Sequence, residues 1–369
     1  MINILHIFED SRFGGPHNQC INLLSNVSNK KKYNHEILLC DYQSKYFTNK
    51  CKEVKIKYHK IKINFLSKNF FLLLKYFLYF FSDIKKILSF LRKNKKFSII
   101  ALSNGTISFK SLIAAILAKK KILWHIHDSE SHLFVRLLVY FFSHYVNYFI
   151  FSSNSSKKYY IRFVRNKNYK ILQTAIDFKK LKYKKINSKK FIIGLIANFN
   201  KNKNILFFLK LILEINKINN KFFFMISGRV WNNQVSYYKK CIDFIKKNKI
   251  KNILIERDNK NLSNFYNKIN LQLLTSDTES SPTVLWEGMF MKKIILTTNV
   301  GDIKKFIKNG KNGFILNRDI KSFKNRIFSI FNKKMNLIKI RENSRKTAFK
   351  NFNIKNFEIK YTNIIDKIN

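Results

Sequence analysis

Two prolines and nine glycines are all that 369 residues contain. That scarcity excludes collagen-like repeats and Gly/Pro-rich linkers. Cysteine is almost as rare: Cys20, Cys40, Cys51 and Cys241 show neither disulfide-framework nor metal-ligand spacing, so they read as reduced thiols of a cytosolic protein. All eight histidines precede residue 145, which confines any histidine chemistry to the first half of the chain. No Asp-x-Asp pair is present. No uninterrupted run of 18 apolar residues exists either: Phe70–Phe81 is broken by Lys75, and Leu133–Phe151 by Arg136, Ser143, His144 and Asn147. A membrane-spanning helix is therefore not expected. Met1 leads straight into the strand-like Ile2–Ile7, so a secretory leader is not expected.

What is abundant is lysine. The formal charge is +51, and arginine accounts for only 11 of the 72 basic residues. A charge of that size invites a nucleic-acid reading. Yet the basic residues are spread along the whole chain with no compact stripe and no nucleic-acid-binding motif, so a solvated surface is expected and specific nucleic-acid binding is not. The same charge attracts anionic ligands or an anionic membrane. With 46% hydrophobic residues the chain is globular, and its length suits two domains.

Short apolar runs at Phe191–Ala197, Phe222–Ser227, Asn252–Ile255, Leu271–Thr275, Lys293–Thr297 and Gly313–Leu316 alternate with amphipathic stretches such as Ile205–Ile215 and Val235–Lys246. That alternation predicts a parallel sheet covered by helices. The first half repeats it through Ile2–Ile7, Glu36–Cys40, Phe97–Ala101, Ile122–Ile126 and Tyr148–Phe151. A helical patch over 69–91, rich in Phe, Leu and Tyr, reads as core or as a peripheral membrane contact. The Lys/Asn-rich stretch 179–190 marks a boundary. The expected class is α/β, two doubly wound domains facing across a cleft, with ligands beyond the carboxyl ends of the strands.

Because glycine and proline are so few, their positions carry information. Pro16 follows Gly14 and Gly15 directly after the first strand, in a tight turn or in a loop that approaches a ligand. Pro282 follows Glu279-Ser280-Ser281, and four of the nine glycines fall within residues 288–313. Ser281 is expected as N-cap and Pro282 as first residue of a helix to Met291. The amides of Thr283 and Val284 would then form an anion site at the positive end of the helix, suited to a diphosphate. Glu279 before that helix and Glu287 within it could reach a sugar and a ribose, with the phosphates between.

The run Glu279-Ser-Ser-Pro-Thr-Val-Leu-Trp-Glu287-Gly288, then Ile294–Asp302 and Asn309–Leu316, resembles the group 1 (family 4) glycosyltransferases, in which two glutamates with seven residues between them bracket a helix start in the donor site. Ile193–Phe199 leading to Lys203, Ile171–Asp177, Tyr148–Ser153 and Trp124-His125-Ile126-His127-Asp128 resemble further segments of that family, in order. The resemblance implies a GT-B fold with an N-terminal acceptor domain (1–180), a nucleotide-sugar domain (190–350) and a C-terminal helix (351–369) packing back on the first. It implies a retaining, metal-independent, hexosyltransferase-like enzyme of surface polysaccharide biosynthesis, cytoplasmic or peripheral on the membrane, with a glycan or lipid-linked acceptor and no cofactor. By the same resemblance Glu287 holds the ribose, Lys203 and the amides near Thr283 the diphosphate, and Glu279 the sugar hydroxyls. His127 contacts the transferred sugar, although an ordinary buried histidine fits that position nearly as well. Asn198 stands where the family usually has arginine, which leaves Lys203 as the main cation on the phosphates. A catalytically inactive protein of the same fold is the alternative reading.

Overall fold

The computed structural model describes residues 1–67, 69–184, 190–231, 234–257, 259, 261–332 and 336–369. The chain forms two compact units, Met1–Ile176 with Ile354–Asn369, and Asp177–Asn353. Part of the boundary stretch anticipated at 179–190, residues 185–189, lies outside the described residues.

Unit 1 contains strands β1 (Ile2–Phe8), β2 (Tyr33–Cys40), β3 (Tyr58–Ile61), β4 (Ile99–Leu102), β5 (Lys121–Ile126), β6 (Tyr148–Phe151) and β7 (Tyr169–Ile171). They pair in the order β3-β2-β1-β4-β5-β6-β7, all parallel. Unit 2 contains β8 (Phe191–Ile196), β9 (Phe222–Gly228), β10 (Ile253–Arg257), β11 (Leu271–Leu274), β12 (Ile294–Thr298) and β13 (Phe314–Leu316), in the order β10-β9-β8-β11-β12-β13, again parallel. Both are doubly wound sheets. In each, strand order reverses beside the first strand, at β1/β4 and at β8/β11, and ligands of such sheets bind outside the strand ends at that point.

The two-residue strand period separates the cores. In β1, Ile4 and Phe8 pack into one apolar cluster and Leu5 and Ile7 into the cluster on the opposite face. Gly194 in β8 is required by close approach, since a Cβ there would lie 2.7 Å from Ile269 and 3.0 Å from Phe265. β3 and β7 were not visible as apolar runs, because Tyr58–Ile61 carries His59 and Lys60 and β7 has only three residues. The helical patch over 69–91 is two helices, Phe70–Leu78 and Phe80–Lys93, separated at Tyr79. Among the described residues no helix is long and apolar enough to cross a membrane.

That helix pair is fixed to unit 1 by a buried charge. Lys110 Nζ donates to Asp83 Oδ2 at 2.8 Å and to the Asn64 carbonyl at 2.7 Å, and both charged side chains are 0% exposed. The Asn64 amide also donates to Asp83 at 2.8 Å, and the ammonium lies 3.9 Å from the centre of the Tyr76 ring. Removing one member leaves the other charge buried and uncompensated, so Asp83→Ala should lower stability by about 3–5 kcal/mol. The double variant Asp83→Leu/Lys110→Met should recover most of that loss in chemical denaturation; a double variant as unstable as the single would show that the charge is not the cause.

Candidate functional site

In unit 2 the loops after β8 and β11 leave the sheet on either side of the reversal point, and short polar side chains tie them together. The Asp277 amide donates to the Asn202 carbonyl at 2.8 Å, Asn202 Nδ2 to the Thr278 carbonyl at 3.0 Å, and Thr278 Oγ1 to Asn202 Oδ1 at 2.9 Å. Asn204 occupies the left-handed region (φ 49°), which asparagine tolerates better than most residues, and donates to Asp277 Oδ1 at 3.0 Å. Thr275 Oγ1 donates to the Lys203 carbonyl at 2.9 Å. Lys203 is thereby aimed across the junction, and its Nζ donates to Glu279 Oε1 at 2.5 Å, an oxygen that also accepts from Ser276 Oγ at 2.7 Å.

From the other side Arg318 Nη2 donates to the carbonyls of Ser276 (3.3 Å) and Asp277 (3.0 Å), while its Nη1 pairs with Asp277 Oδ1 at 3.1 Å. Gly301 supplies a positive φ (53°) where a Cβ would sit 2.3 Å from the Glu279 carbonyl, so no other residue fits without moving the loop.

The following helix spans Thr283–Phe290, with Pro282 itself as N-cap. The expectation of Ser281 as N-cap is corrected here. The Ser281 hydroxyl accepts from Trp286 Nε1 at 3.3 Å and caps no helix amide. The Leu285 amide turns back to the Pro282 carbonyl at 3.0 Å, whereas the amides of Thr283 and Val284 bond to no described acceptor. They are the first-turn donors that a helix leaves unpaired.

The Val284 carbonyl accepts from Tyr266 Oη and from Gln272 Nε2, each at 2.9 Å, which sets the tilt of the helix start. Gln272 can lie there because residue 288 is glycine; a Cβ at Gly288 would come within 1.6 Å of Gln272 Oε1. Tyr266 Oη also donates to Glu287 Oε2 at 2.9 Å. Burial raises the Glu287 carboxyl from its ordinary value of 4.5 to about 7, against the opposing hydrogen bond from Tyr266. Asn198 Oδ1 accepts the Arg229 amide at 3.1 Å, and the Phe199 amide donates back to the Arg229 carbonyl at 3.0 Å. Its side chain thus holds the loop after β9.

Unit 1 carries the remaining anticipated residues, also at strand ends. Gly14 is the extended N-cap of helix Gly15–Asn26 and donates its amide to His17 Nδ1 at 3.2 Å; His17 Nε2 then donates to the Asp10 carbonyl at 2.7 Å. Those two bonds require the neutral Nε2–H tautomer. A Cβ at Gly15 would meet nothing within 4 Å, and one at Gly14 only the Arg12 carbonyl at 3.9 Å, so the chain's own packing does not demand this glycine pair. His125 and His127 stack with ring centroids 3.9 Å apart, and Ser152 Oγ bridges His125 Nε2 (3.2 Å) and His127 Nδ1 (2.8 Å). Burial lowers both, His127 to about 3, so both are neutral at pH 7. They border a cavity of about 20 Å³ shared with His6, Gln19 and Tyr361.

Several contributors escaped the sequence reading: Tyr266, Gln272, Arg318, His17 and Ser152. Glu9 is a further one. Buried at the end of β1, it accepts the Ser111 amide at 2.7 Å, and burial raises its carboxyl to about 7. Arg318 could have been flagged, since arginine is rare in this chain and this one follows the last strand. Among the described residues no group of three or more His, Cys, Asp or Glu side chains is placed to hold a metal ion.

Residues 176–349, nearly the whole of unit 2, match the family model for glycosyl transferases group 1. Unit 2 is a group 1 glycosyl transferase domain. Over the full chain the fold is GT-B. It superposes on HepE from Anabaena in complex with UDP and glucose with a TM-score of 0.83 at 14% identity, covering 100% of both chains. A glycosyltransferase from Rickettsia africae ESF-5 gives 0.79 at 16% identity over 100% of this chain and 98% of that one. Sucrose-phosphate synthase from Thermosynechococcus elongatus gives 0.80 at 11% identity over 100% and 99%. No curated protein sequence matches the chain.

The raised Glu287 value has a testable sign. Below about pH 4.5 the carboxyl is neutral folded or unfolded; above about pH 7 it is ionised in both states, and folding carries the full desolvation cost. Glu287→Gln should therefore raise the melting temperature at about pH 8 and leave it unchanged at about pH 3, below the unfolded value. Equal shifts at both pH values would place the effect elsewhere.

Proposed function

We propose that the chain is a retaining glycosyltransferase moving a sugar from a nucleotide-sugar to a glycan or lipid-linked acceptor, on the cytoplasmic side of surface polysaccharide synthesis. One observation carries the reading. Lys203, Glu279, the unpaired amides of Thr283 and Val284, and Glu287 gather at the carboxyl end of one sheet beside its reversal point, within a group 1 domain. Glu287 takes the ribose, the two amides take the diphosphate at the positive end of the helix, and Glu279 takes hydroxyls of the sugar.

As the glycosidic C–O bond breaks, negative charge grows on the leaving diphosphate. Lys203 exchanges its hydrogen bond to Glu279 for one to a phosphate oxygen, and the helix end adds its dipole. Preorganised charge of this kind usually contributes more to catalysis than any other single effect. Glu279, released from the ion pair, keeps its Ser276 bond and turns its other oxygen to the sugar. For unit 1 taken by itself, the reading gives neutral His127, held by Ser152, a polar contact to a sugar hydroxyl, and the open backbone at Gly14 and Gly15 leaves room for a ligand close to the chain. The acceptor attacks from the face the diphosphate leaves, so the anomeric configuration is kept, and a phosphate oxygen takes its proton. No metal takes part in this scheme, and a chelator should leave turnover unchanged.

HepE has been solved with UDP and with UDP-glucose, which makes UDP-sugars the first donors to try. A thermal-shift series with UDP, GDP, ADP and CMP should show a selective rise for one nucleotide, since only a ligand that prefers the folded state stabilises it. Glu287→Ala should abolish that rise, and Lys203→Ala should weaken nucleotide diphosphates far more than nucleosides. No rise with any nucleotide at millimolar concentration would favour the inactive alternative, in which Asn198 serves only to hold Arg229.

A further inference from the structure

Helix Phe70–Leu78 displays an apolar face that nothing among the described residues covers. Phe70 (70% exposed), Phe71 (73%), Leu74 (47%), Phe77 (60%) and Leu78 (70%) follow the spacing i, i+1, i+4, i+7, i+8, and Phe81 (76%) continues it into the next helix. That is the stripe of a core-facing helix turned outward. Tyr76 is buried and lies over the Lys110 ammonium, while Leu72 and Leu73 are half-buried. The helix is built deliberately at its start: Asn69 Oδ1 accepts the Leu72 amide at 3.2 Å. A second stripe lies on helix Leu133–Phe142, where Leu133, Phe134, Leu137 and Phe141 are exposed at the same spacing. Both helices abut the first turn of helix Phe109–Leu117, through Tyr76 over Lys110 and Phe142 at 6.4 Å from Phe109. Soluble monomers rarely show apolar patches of this extent without a partner for them.

Charge selects the partner. Between residues 54 and 176 the sequence has 23 lysines and arginines and three carboxylates, Asp83, Asp128 and Glu130. Asp83 is buried and paired with Lys110 and Lys86, and Asp128 accepts from Thr106, so two of the three carboxylates are already engaged. Lys75 within the stripe helix and Lys85 just after it are exposed. A second copy of so basic a surface would be repelled, whereas an anionic bilayer supplies both apolar depth and negative charge. We propose that the outward face of helix Phe70–Leu78, continued by Phe81, docks unit 1 on an anionic lipid surface, with the aromatic rings at headgroup depth and the lysines against lipid phosphates. This is the behaviour of an interfacial helix: no span is needed, and binding grows with buried apolar area plus electrostatic attraction. The docking goes beyond the transfer reaction and does not depend on the donor-site reading.

The full chain is sedimented with vesicles of phosphatidylcholine alone and with vesicles carrying phosphatidylglycerol as roughly one lipid in three, a composition that gives a negative surface potential. The wild type should partition onto the anionic vesicles at least about tenfold better than onto neutral ones, and the variant F71S/F77S/L78S/F81S should lose at least about tenfold of that binding. Those four side chains are exposed, so melting temperature and nucleotide-induced stabilisation should match the wild type; a failed donor site would leave this test unaffected. In Phe77→Trp, the added tryptophan emission should shift to the blue on anionic vesicles. Three results would overturn the proposal: no vesicle binding by the wild type, equal binding by the quadruple variant (charge alone then suffices), or a wild-type dimer in solution that the quadruple variant dissolves.

Discussion

A doubly wound sheet opens a gap where its strand order reverses, because the two loops leaving there run to opposite faces. Everything proposed for unit 2 depends on how that gap is held. Here it is held by asparagine, threonine and aspartate side chains, Asn202, Asn204, Thr278 and Asp277, bonding across from one loop to the other. Short polar side chains suit the task because they mimic backbone turns and lose little rotamer freedom. The consequence is positional: with its carbonyl fixed by Thr275, Lys203 can reach Glu279, 76 residues away in sequence.

The Lys203–Glu279 pair is better understood as a resting state than as a source of stability. The two side chains are 29% and 12% exposed, so water screens the pair and its net contribution is small. What the pair does is hold each charge in place without a ligand. In the proposed scheme an incoming diphosphate meets an ammonium already positioned, and the carboxylate released from it meets the hydroxyls of the sugar. Glu287 works differently. It sits where ionisation is costly, with Tyr266 as its single described partner, so folding tolerates a carboxyl that the proposed ribose contact would need. Local cost of this kind is characteristic of functional positions.

Much of this was legible in the sequence because the composition is so skewed. With nine glycines and two prolines, the cluster after residue 279 stood out, and Gly288 and Gly301 are each enforced by a contact under 2.5 Å. The alternation of apolar runs located most of the strands, since strands buried on both faces read as continuous apolar segments. The misses have physical causes. Ser281 followed by proline looks like a cap, yet the Trp286 indole takes the hydroxyl, a tertiary preference that local pattern does not encode. Tyr266 and Gln272 act through a carbonyl and a carboxyl on another element, and nothing in their own neighbourhoods marks them. The histidines were seen as His125 and His127 alone; the bond from His17 to Gly14 joins residues three apart and could have been inferred from a residue at N3 reaching back to the cap.

The balance of lysine over arginine carries a further lesson. Lysine fills 61 positions and arginine 11. Several of those arginines do what an ammonium cannot. Arg12 grips both oxygens of Asp10 through Nε and Nη2, and Arg318 spans two carbonyls and a carboxylate. Others lie flat against rings, Arg165 at 4.0 Å from Tyr140, Arg345 at 4.3 Å from Phe290 and Arg326 at 4.6 Å from Phe314. Asn198 stands where the family resemblance expects a cation, and its side chain accepts a backbone hydrogen bond that neither lysine nor arginine could accept. It thereby holds the loop after β9, and in the proposed scheme the positive charge for the diphosphate comes from Lys203 and the start of the helix at Thr283.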